Sequence, residues 1–300
     1  MTVLAIDIGG TKMAAAIVDD DGNVLRRDRT PTNTTDPWPD FAAMLDRLVD
    51  GEQVDGVGIG CGGPMTWPAG EVSPLNIHAW RDFPLRARLA ERYPGVPVRL
   101  HNDAVAFAAA EHWRGAAQGI DNMIGMVVST GVGGGIVSGG HILDGATGNA
   151  GHIGHCVADP TGPICACGAR GCLEAIARGP ATVAWARQQG SPAEDGPALA
   201  RLAAGGDPIA LAAFARAGDA VGRVIAWCAA LLDLQMVVVG GGFAQTGPPL
   251  WDPLLAAVRE HAVLPFLAEL RVVPPALGGD AGLVGAAALV LAGDRYWSGD

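Results

Sequence analysis

Near its start the chain has the segment Val3-Leu4-Ala5-Ile6-Asp7-Ile8-Gly9-Gly10-Thr11-Lys12, in which an apolar run ends in a glycine pair. A second apolar run follows over residues 13–18. This pattern predicts a strand, a tight turn and a return strand. A similar pattern restarts at residues 123–129, where an apolar run is followed by a glycine turn over 131–135 and a short return strand at 136–137. We therefore expect an α/β fold of two similar halves with a cleft between them.

The first glycine turn is suited to binding phosphate. Gly9 and Gly10 have no Cβ, so a phosphate can approach the backbone N–H groups of the segment that continues through Thr11 and Lys12. It is not a P-loop, because a strand rather than a helix follows it. A plain hairpin turn is the alternative. Asp7 favours the functional interpretation, because a carboxylate at the end of a buried strand is suited to holding a magnesium-bound water.

Two further glycine segments follow apolar strands. Ser129-Thr130-Gly131-Val132-Gly133-Gly134-Gly135 supplies hydroxyl groups and unhindered N–H groups, and Gly240-Gly241-Gly242 follows the apolar run at 236–239. Ligands collect at the carboxyl ends of strands in open α/β sheets. We expect Thr130, Gly131 and Gly133 to help clamp a triphosphate, and the 240–242 backbone to support an adenine or ribose.

The segment His101-Asn102-Asp103 lies between a predicted strand at 96–100 and a predicted helix at 104–113. Asn or Asp at this place is a common helix N-cap. Asp103 is also suited to accept a proton from a sugar hydroxyl that attacks a γ-phosphoryl group, with Asn102 fixing a neighbouring hydroxyl. Both roles are compatible if Asn102 caps the helix.

A cluster of cysteines and histidine indicates a metal site. Cys165, Cys167 and Cys172 lie within eight residues, and His155 lies ten positions before the first of them. This spacing matches a Cys₃His zinc site, which would be structural because four protein ligands leave no open position. Reduced thiols or a disulfide are the alternatives. We interpret Cys61, Cys156 and Cys228 as ordinary thiols.

Composition limits the class of protein. The chain has 300 residues, 49% of them hydrophobic, and a formal net charge of −11, which disfavours a polyanion such as DNA as partner. No basic segment precedes a long apolar run, and no stretch has the length and composition of a membrane span. We therefore expect a cytoplasmic protein. Lys12 is the one lysine of the chain.

The remainder of the chain is predicted to be mainly helical. Its apolar periodicity and helix start and stop signals predict one further strand, at 236–239, and a set of helices. The helices are expected at 173–188, 197–204, 208–234, 248–262 and 281–292.

With these motifs in view, the chain resembles the ROK family of sugar kinases and sugar-responsive repressors over nearly its whole length. The resemblance rests on residues 7–12, 102–103 and 129–135, and on Gly-His followed by Cys-x-Cys-Gly-x-x-Gly-Cys-x-Glu at 154–174. It implies an actin-like (ribonuclease H-like) fold, with an N-terminal domain at 1–115 completed by a helix at 284–300 and a C-terminal domain at 116–283. It also implies ATP with Mg²⁺ as donor, transfer to the 6-hydroxyl of a hexose, a structural Zn²⁺ and a homodimer.

The resemblance also implies roles for individual residues. Asp103 would be the catalytic base, and His155 would contact the sugar as well as the zinc. The other sugar contacts would be Asn102, Gly63, His152 and Glu174. The nucleotide contacts would be Asp7, Gly9, Gly10, Thr11, Lys12, Thr130, Gly131, Gly133, Gly240, Gly241 and Gly242. The zinc ligands would be His155, Cys165, Cys167 and Cys172.

One position departs from many family glucokinases, which have Glu where this chain has His152. Bacterial N-acetylmannosamine kinases have His there, and N-acetylmannosamine is therefore the first candidate substrate. Glucose, N-acetylglucosamine and mannose are the alternatives. A sugar-sensing regulator is the alternative of another class. Such regulators have a helix-turn-helix ahead of the sugar-binding part, and Met1 is six residues before Asp7, so we expect no such segment.

Overall fold

The structure is a computed structural model that describes residues 1–33 and 35–299. The chain forms two compact units, one of Met1–Asp121, Gly135–Gly151 and Pro275–Asp300 and the other of Asn122–Gly134 and His152–Pro274. The domain boundaries proposed from the family resemblance remain a prediction. No helix among the described residues is long and apolar enough to cross a membrane.

Both units contain strands and helices. The strands are β1 (Thr2–Ile8), β2 (Lys12–Asp19), β3 (Val24–Pro31), β4 (Gly56–Cys61), β5 (Met65–Thr66), β6 (Glu71–Val72), β7 (Phe83–Pro84), β8 (Val98–Asn102), β9 (Met123–Val128), β10 (Val132–Ser138), β11 (His141–Ile142), β12 (Met236–Gly240) and β13 (Arg271–Val273). The helices are α1 (Pro37–Val49), α2 (Leu85–Arg92), α3 (Asp103–Trp113), α4 (Leu173–Ala177), α5 (Gly179–Gln188), α6 (Gly196–Ala204), α7 (Pro208–Leu232), α8 (Pro248–His261), α9 (Ala281–Leu291) and α10 (Gly293–Tyr296).

The main sheet of the first unit has the strand order β3-β2-β1-β4-β8. β1 runs antiparallel to β2 and parallel to β4, and β4 runs parallel to β8. Successive β1 side chains point to opposite faces. Leu4, Ile6 and Ile8 join a core with residues of α1 and α2, whereas Val3 and Ala5 pack with residues of α9. Both faces of β1 are therefore covered, which explains its continuous apolar run.

Glycine allows α9 to approach this sheet closely. A Cβ at Gly58 in β4 would lie 1.8 Å from the carbonyl oxygen of Ala286. A larger residue there would push α9 away from the sheet. The same unit contains a second, small sheet with the strand order β5-β6-β7.

The second sheet has the order β11-β10-β9-β12-β13. In the second unit β12 lies between β9 and β13, parallel to both, and is buried along its whole length. The 25-residue α7 packs on α8 through small residues. A Cβ at Gly218 or Gly222 would lie 2.4 or 2.3 Å from a backbone oxygen of α8.

The structure confirms the mixed α/β class and the opening hairpin, and it corrects several local predictions. The strand predicted at 96–100 is β8 at Val98–Asn102, so His101 and Asn102 belong to it. The helix predicted at 173–188 is two helices, because Arg178 is extended and α5 starts anew at Gly179 with Pro180 in its first turn. The glycine turn predicted at 131–135 is shorter, because β10 begins at Val132 and includes three glycines. The two-residue strands, α2 and β13 had no recognised sequence signal.

Candidate functional site

In the first unit, three parallel strands end at the same edge of the sheet. Ile8 of β1 is opposite Cys61 of β4, and Cys61 is opposite Asn102 of β8. The residues that follow these strands therefore emerge side by side, and this is where α/β sheets bind ligands. The structure brings together the 7–12 segment, Gly63 and the Asn102-Asp103 pair at this edge.

The turn after β1 is tightly held. The Gly9 N–H donates to the Lys12 carbonyl oxygen at 3.0 Å, and the Thr32 hydroxyl donates to the Gly9 carbonyl oxygen at 2.8 Å. A Cβ at Gly10 would lie 2.5 Å from the Cβ of Asn76. Glycine is needed at position 10 because Asn76 covers the turn, a contact that no sequence motif indicated.

Asp7 lies just before this turn in a strongly desolvated environment. Its pKa is raised from 3.8 to about 6, mainly by burial and then by the negative charge of Asp103, and the charge of Lys12 partly offsets these two effects. A Cβ at Gly282 would lie 2.7 Å from the Asp7 carboxylate. Two carboxylates that repel each other favour a bound cation, so this pair fits the oxygen ligands or bound water of a magnesium ion.

Asn102 and Asp103 lie at the start of α3. The Asn102 Oδ1 accepts the Ala104 N–H at 2.9 Å, which confirms the predicted N-cap, and the Asp103 Oδ1 accepts the same N–H at 2.9 Å. A Cβ at Gly63 would lie 3.3 Å from the Asn102 Nδ2. Gly63 thus leaves open the space next to the amide group of Asn102.

In the second unit, β9 and β12 also end side by side. Gly241 has φ +95°, and a Cβ there would lie 2.3 Å from the Val128 carbonyl oxygen. The Phe243 N–H donates to that oxygen at 3.2 Å. Glycine at 241 thus lets the chain after β12 fold back onto the end of β9.

These strand ends form part of a cavity of about 620 Å³ within the second unit. The volume is in the range of small-molecule and cofactor pockets. Thr130 and Gly242, both predicted nucleotide contacts, line it, whereas Gly131, Gly133, Gly240 and Gly241 are not among its lining residues. The lining residues are Ser129, Thr130, Gly179, Pro180, Val183, Ala184, Arg187, Glu194, Asp195, Gly196, Pro197, Ala200, Gly242, Phe243, Gln245 and Thr246. Most of them come from α5, α6 and the segments beside these helices, which had no motif that sequence reasoning recognised.

Glu174 and the two histidines lie in the same unit. The Glu174 Oε2 accepts the Val132 N–H at 2.9 Å, and a Cβ at Gly131 would lie 2.9 Å from that oxygen. Glu174 therefore supports the turn before β10, a contact that sequence reasoning missed. The rings of His152 and His155 are stacked with centroids 6.1 Å apart.

The four predicted metal ligands form one cluster. The ligand atoms of His155, Cys165, Cys167 and Cys172 all lie within 4.8 Å of one another. The Cys165 Sγ is 3.8 Å from the His155 Nδ1, and the Cys167 Sγ is 3.7 Å from the Cys172 Sγ. Tetrahedral ligands about 2.3 Å from a zinc ion are about 3.8 Å apart, so the donor set and its spacing fit zinc.

The fold and these motifs define a known class, and a model of the ROK family matches residues 3–292. The chain belongs to the ROK family and has its actin-like α/β fold. An N-acetylmannosamine kinase of Citrobacter koseri is 39% identical over 98% of this chain and 100% of the relative. A glucokinase of Thermotoga maritima is 34% identical over 97% of each chain. The crystal structure of a ROK family glucokinase from Streptomyces griseus in complex with glucose and AMPPNP is 34% identical, with a TM-score of 0.83 over 97% of this chain and 99% of that one.

Proposed function

We propose that this chain is a sugar kinase that transfers the γ-phosphoryl group of ATP to the 6-hydroxyl of a hexose or N-acetylhexosamine. The observation that carries the proposal is the shared edge of β1, β4 and β8, where Asp103 stands beside the 7–12 turn. A base next to a phosphate-binding turn is the arrangement that phosphoryl transfer to a hydroxyl needs.

Asp103 is the proposed base. It accepts the proton of the attacking sugar hydroxyl through a carboxylate that is exposed at the start of α3. Asn102 uses Oδ1 for the helix cap, so its Nδ2 is the group that donates to a neighbouring sugar hydroxyl. Gly63, His152, His155 and Glu174 are the other proposed sugar contacts.

The nucleotide is proposed to bind through the glycine segments. The backbone N–H groups of 9–12 and of 130–133 bind phosphate oxygens, and the cavity beside Thr130 and Gly242 takes the nucleoside. Asp7 would hold Mg²⁺ through a bound water. When bound, Mg²⁺ neutralises charge on the phosphate oxygens. His155 and the three cysteines would hold Zn²⁺ as a structural ion.

N-acetylmannosamine is the first candidate substrate. It is supported by His152, at the position where many family glucokinases have Glu, and by the relative of Citrobacter koseri that is named N-acetylmannosamine kinase. Glucose is the second candidate, supported by the Thermotoga maritima relative and by the glucose complex of the Streptomyces griseus structure. The other candidates are N-acetylglucosamine and mannose.

A coupled ADP-release assay across these four sugars tests the function and ranks the substrates. We expect the highest kcat/KM with N-acetylmannosamine. ADP release with none of the four would contradict the proposal.

Asp103→Asn tests the base in the same assay. We expect kcat to fall by about 10² or more while sugar binding persists, because the variant keeps the shape of the residue and loses the proton acceptor. Asp252→Asn changes an exposed carboxylate on α8 and is the matched control. Unchanged turnover of Asp103→Asn would remove Asp103 from the mechanism.

A further inference from the structure

His101 is the last side chain of β8 before the Asn102-Asp103 pair, and it is fully buried, with 0% relative exposure. Its ring lies 6.2 Å from the ring of Trp67, centroid to centroid. Buried histidines need hydrogen-bond partners for both ring nitrogens. The partners of the two nitrogens therefore determine the tautomer of the His101 ring.

The two ring nitrogens have different partners. The Asn102 backbone N–H donates to Nδ1 at 2.8 Å, and Nε2 lies 2.8 Å from the Asp144 Oδ1. Because Nδ1 accepts a hydrogen bond, it carries no proton, and the proton is on Nε2, which donates to the carboxylate. The hydrogen bonds thus select one tautomer of the neutral ring.

Asp144 is itself held in place. The Ser298 hydroxyl donates to its Oδ2 at 2.7 Å. Burial acts to raise the pKa of Asp144, but the hydrogen bonds from His101 and Ser298 outweigh that effect and hold the pKa below its usual value. Asp144 is therefore an anion at neutral pH and a strong acceptor for the Nε2–H group.

We propose that His101 is a positioning residue for the base, oriented by Asp144 and Ser298, and that it fixes the backbone at Asn102 so that Asp103 faces the sugar hydroxyl. The proposal rests on the proposed function. It adds three residues, separated by more than forty positions along the chain, to the residues that the reaction needs. A carboxylate that accepts a hydrogen bond from a histidine and fixes its orientation is common in enzyme sites.

Two substitutions at position 101 test the hydrogen bonds of the two ring nitrogens one at a time. In His101→Gln the amide reaches Asp144 in place of Nε2, but the acceptor at the Nδ1 position is lost. In His101→Asn the side-chain oxygen stands at the Nδ1 position, but the link to Asp144 is lost. We expect His101→Gln to lower kcat about tenfold with an unchanged KM for ATP, and His101→Asn to have a smaller effect.

Asp144→Asn tests the tautomer. Its amide group can donate to Nε2 and so move the ring proton to Nδ1, where it opposes the Asn102 N–H. We expect kcat to fall at least about tenfold at an unchanged KM for ATP. Nitrogen NMR of the imidazole should show the proton on Nε2 in the wild type and on Nδ1 in the variant. Asp294→Asn, an exposed acid of the same unit, is the control.

Hydrogen exchange of the Asn102 amide gives a readout that does not depend on activity. We expect slow exchange in the wild type and in His101→Asn, and faster exchange in His101→Gln and Asp144→Asn. If the wild type phosphorylates none of the sugars, the proposed function fails, whereas the exchange and NMR results still decide whether His101 holds this backbone. Wild-type kcat in both His101→Gln and Asp144→Asn, or a proton on Nδ1 in the wild type, would overturn the proposal.

Discussion

Asp7 lies at the end of β1, where folding takes its carboxylate out of water and places it near the charge of Asp103. Its pKa is raised from 3.8 to about 6, first by burial and then by the charge of Asp103. Between pH 4 and pH 6 the folded state therefore binds a proton that the unfolded state has lost. Stability falls as pH rises through that window and stays reduced at neutral pH.

Asp7→Asn should remove this cost. At pH 7.5 we expect the variant without ligands to be more stable by up to about 3 kcal/mol, from a pKa shift of roughly two units. The free energy of unfolding in urea measures the gain. It should shrink as the pH falls from 6 to 4 and disappear below the unfolded pKa of 3.8, where Asp7 is protonated in both states.

The control for this prediction is the melting temperature of both proteins in the presence of Mg²⁺ and ATP. Because the proposed role of Asp7 is to hold Mg²⁺, Mg²⁺ with ATP should raise the melting temperature of the wild type more than that of Asp7→Asn. The variant should also lose most of its turnover. A variant that is less stable than the wild type at pH 7.5 would show that the carboxylate has a structural partner.

The features of the site that could be predicted from the sequence are those formed by residues close together in the chain. The 7–12 turn and the Asn102 cap could be predicted because a glycine pair and an N-cap have signatures of a few residues. The Asn76 contact with Gly10 and the Glu174 bond to Val132 join residues that are far apart in sequence. Only tertiary packing brings such pairs together, so no local pattern predicts them.

The same distinction holds for whole elements. The long apolar periodicity of α7 predicted it well, with the end two residues too late. The helix over 173–188 was predicted as one because its periodicity continues, and the Gly-Pro pair at 179–180 was not weighed as a start signal for α5. Strands of two residues, such as β5, are too short for any alternation to show.

The loop between β11 and α4 has little regular structure, and its stability is predicted to depend on the metal cluster. Cys165→Ser should reduce zinc content, measured by elemental analysis, and lower the melting temperature, because a structural zinc site contributes directly to folding. Cys156→Ser makes the same change at an exposed thiol outside the cluster and should keep its zinc. Carefully prepared wild-type protein without zinc would contradict the assignment.

Helices α5 and α6 contribute much of the wall of the 620 Å³ cavity, and Ala200 is one of its lining residues. Ala200→Trp should fill the space proposed for the nucleoside and raise the KM for ATP at least about tenfold, with sugar affinity unchanged. Ala204→Trp places the same side chain on an exposed position of α6 that does not line the cavity. Equal KM values for ATP in the two variants would place the nucleoside elsewhere.

The net charge of −11 disfavours the DNA binding that a sugar-sensing regulator needs. Binding to duplex DNA gains much of its free energy when Lys and Arg side chains displace counterions from the phosphates. In this chain the 31 acidic residues outnumber the 20 Lys and Arg residues. We expect no change in fluorescence anisotropy of a labelled random-sequence duplex at low salt, where nonspecific binding is strongest, at protein concentrations that give full turnover of sugar. Saturable DNA binding that is released by one of the four sugars, together with absence of ADP release, would instead identify a regulator. The two classes differ in both measurements, so a single preparation of the protein decides between them.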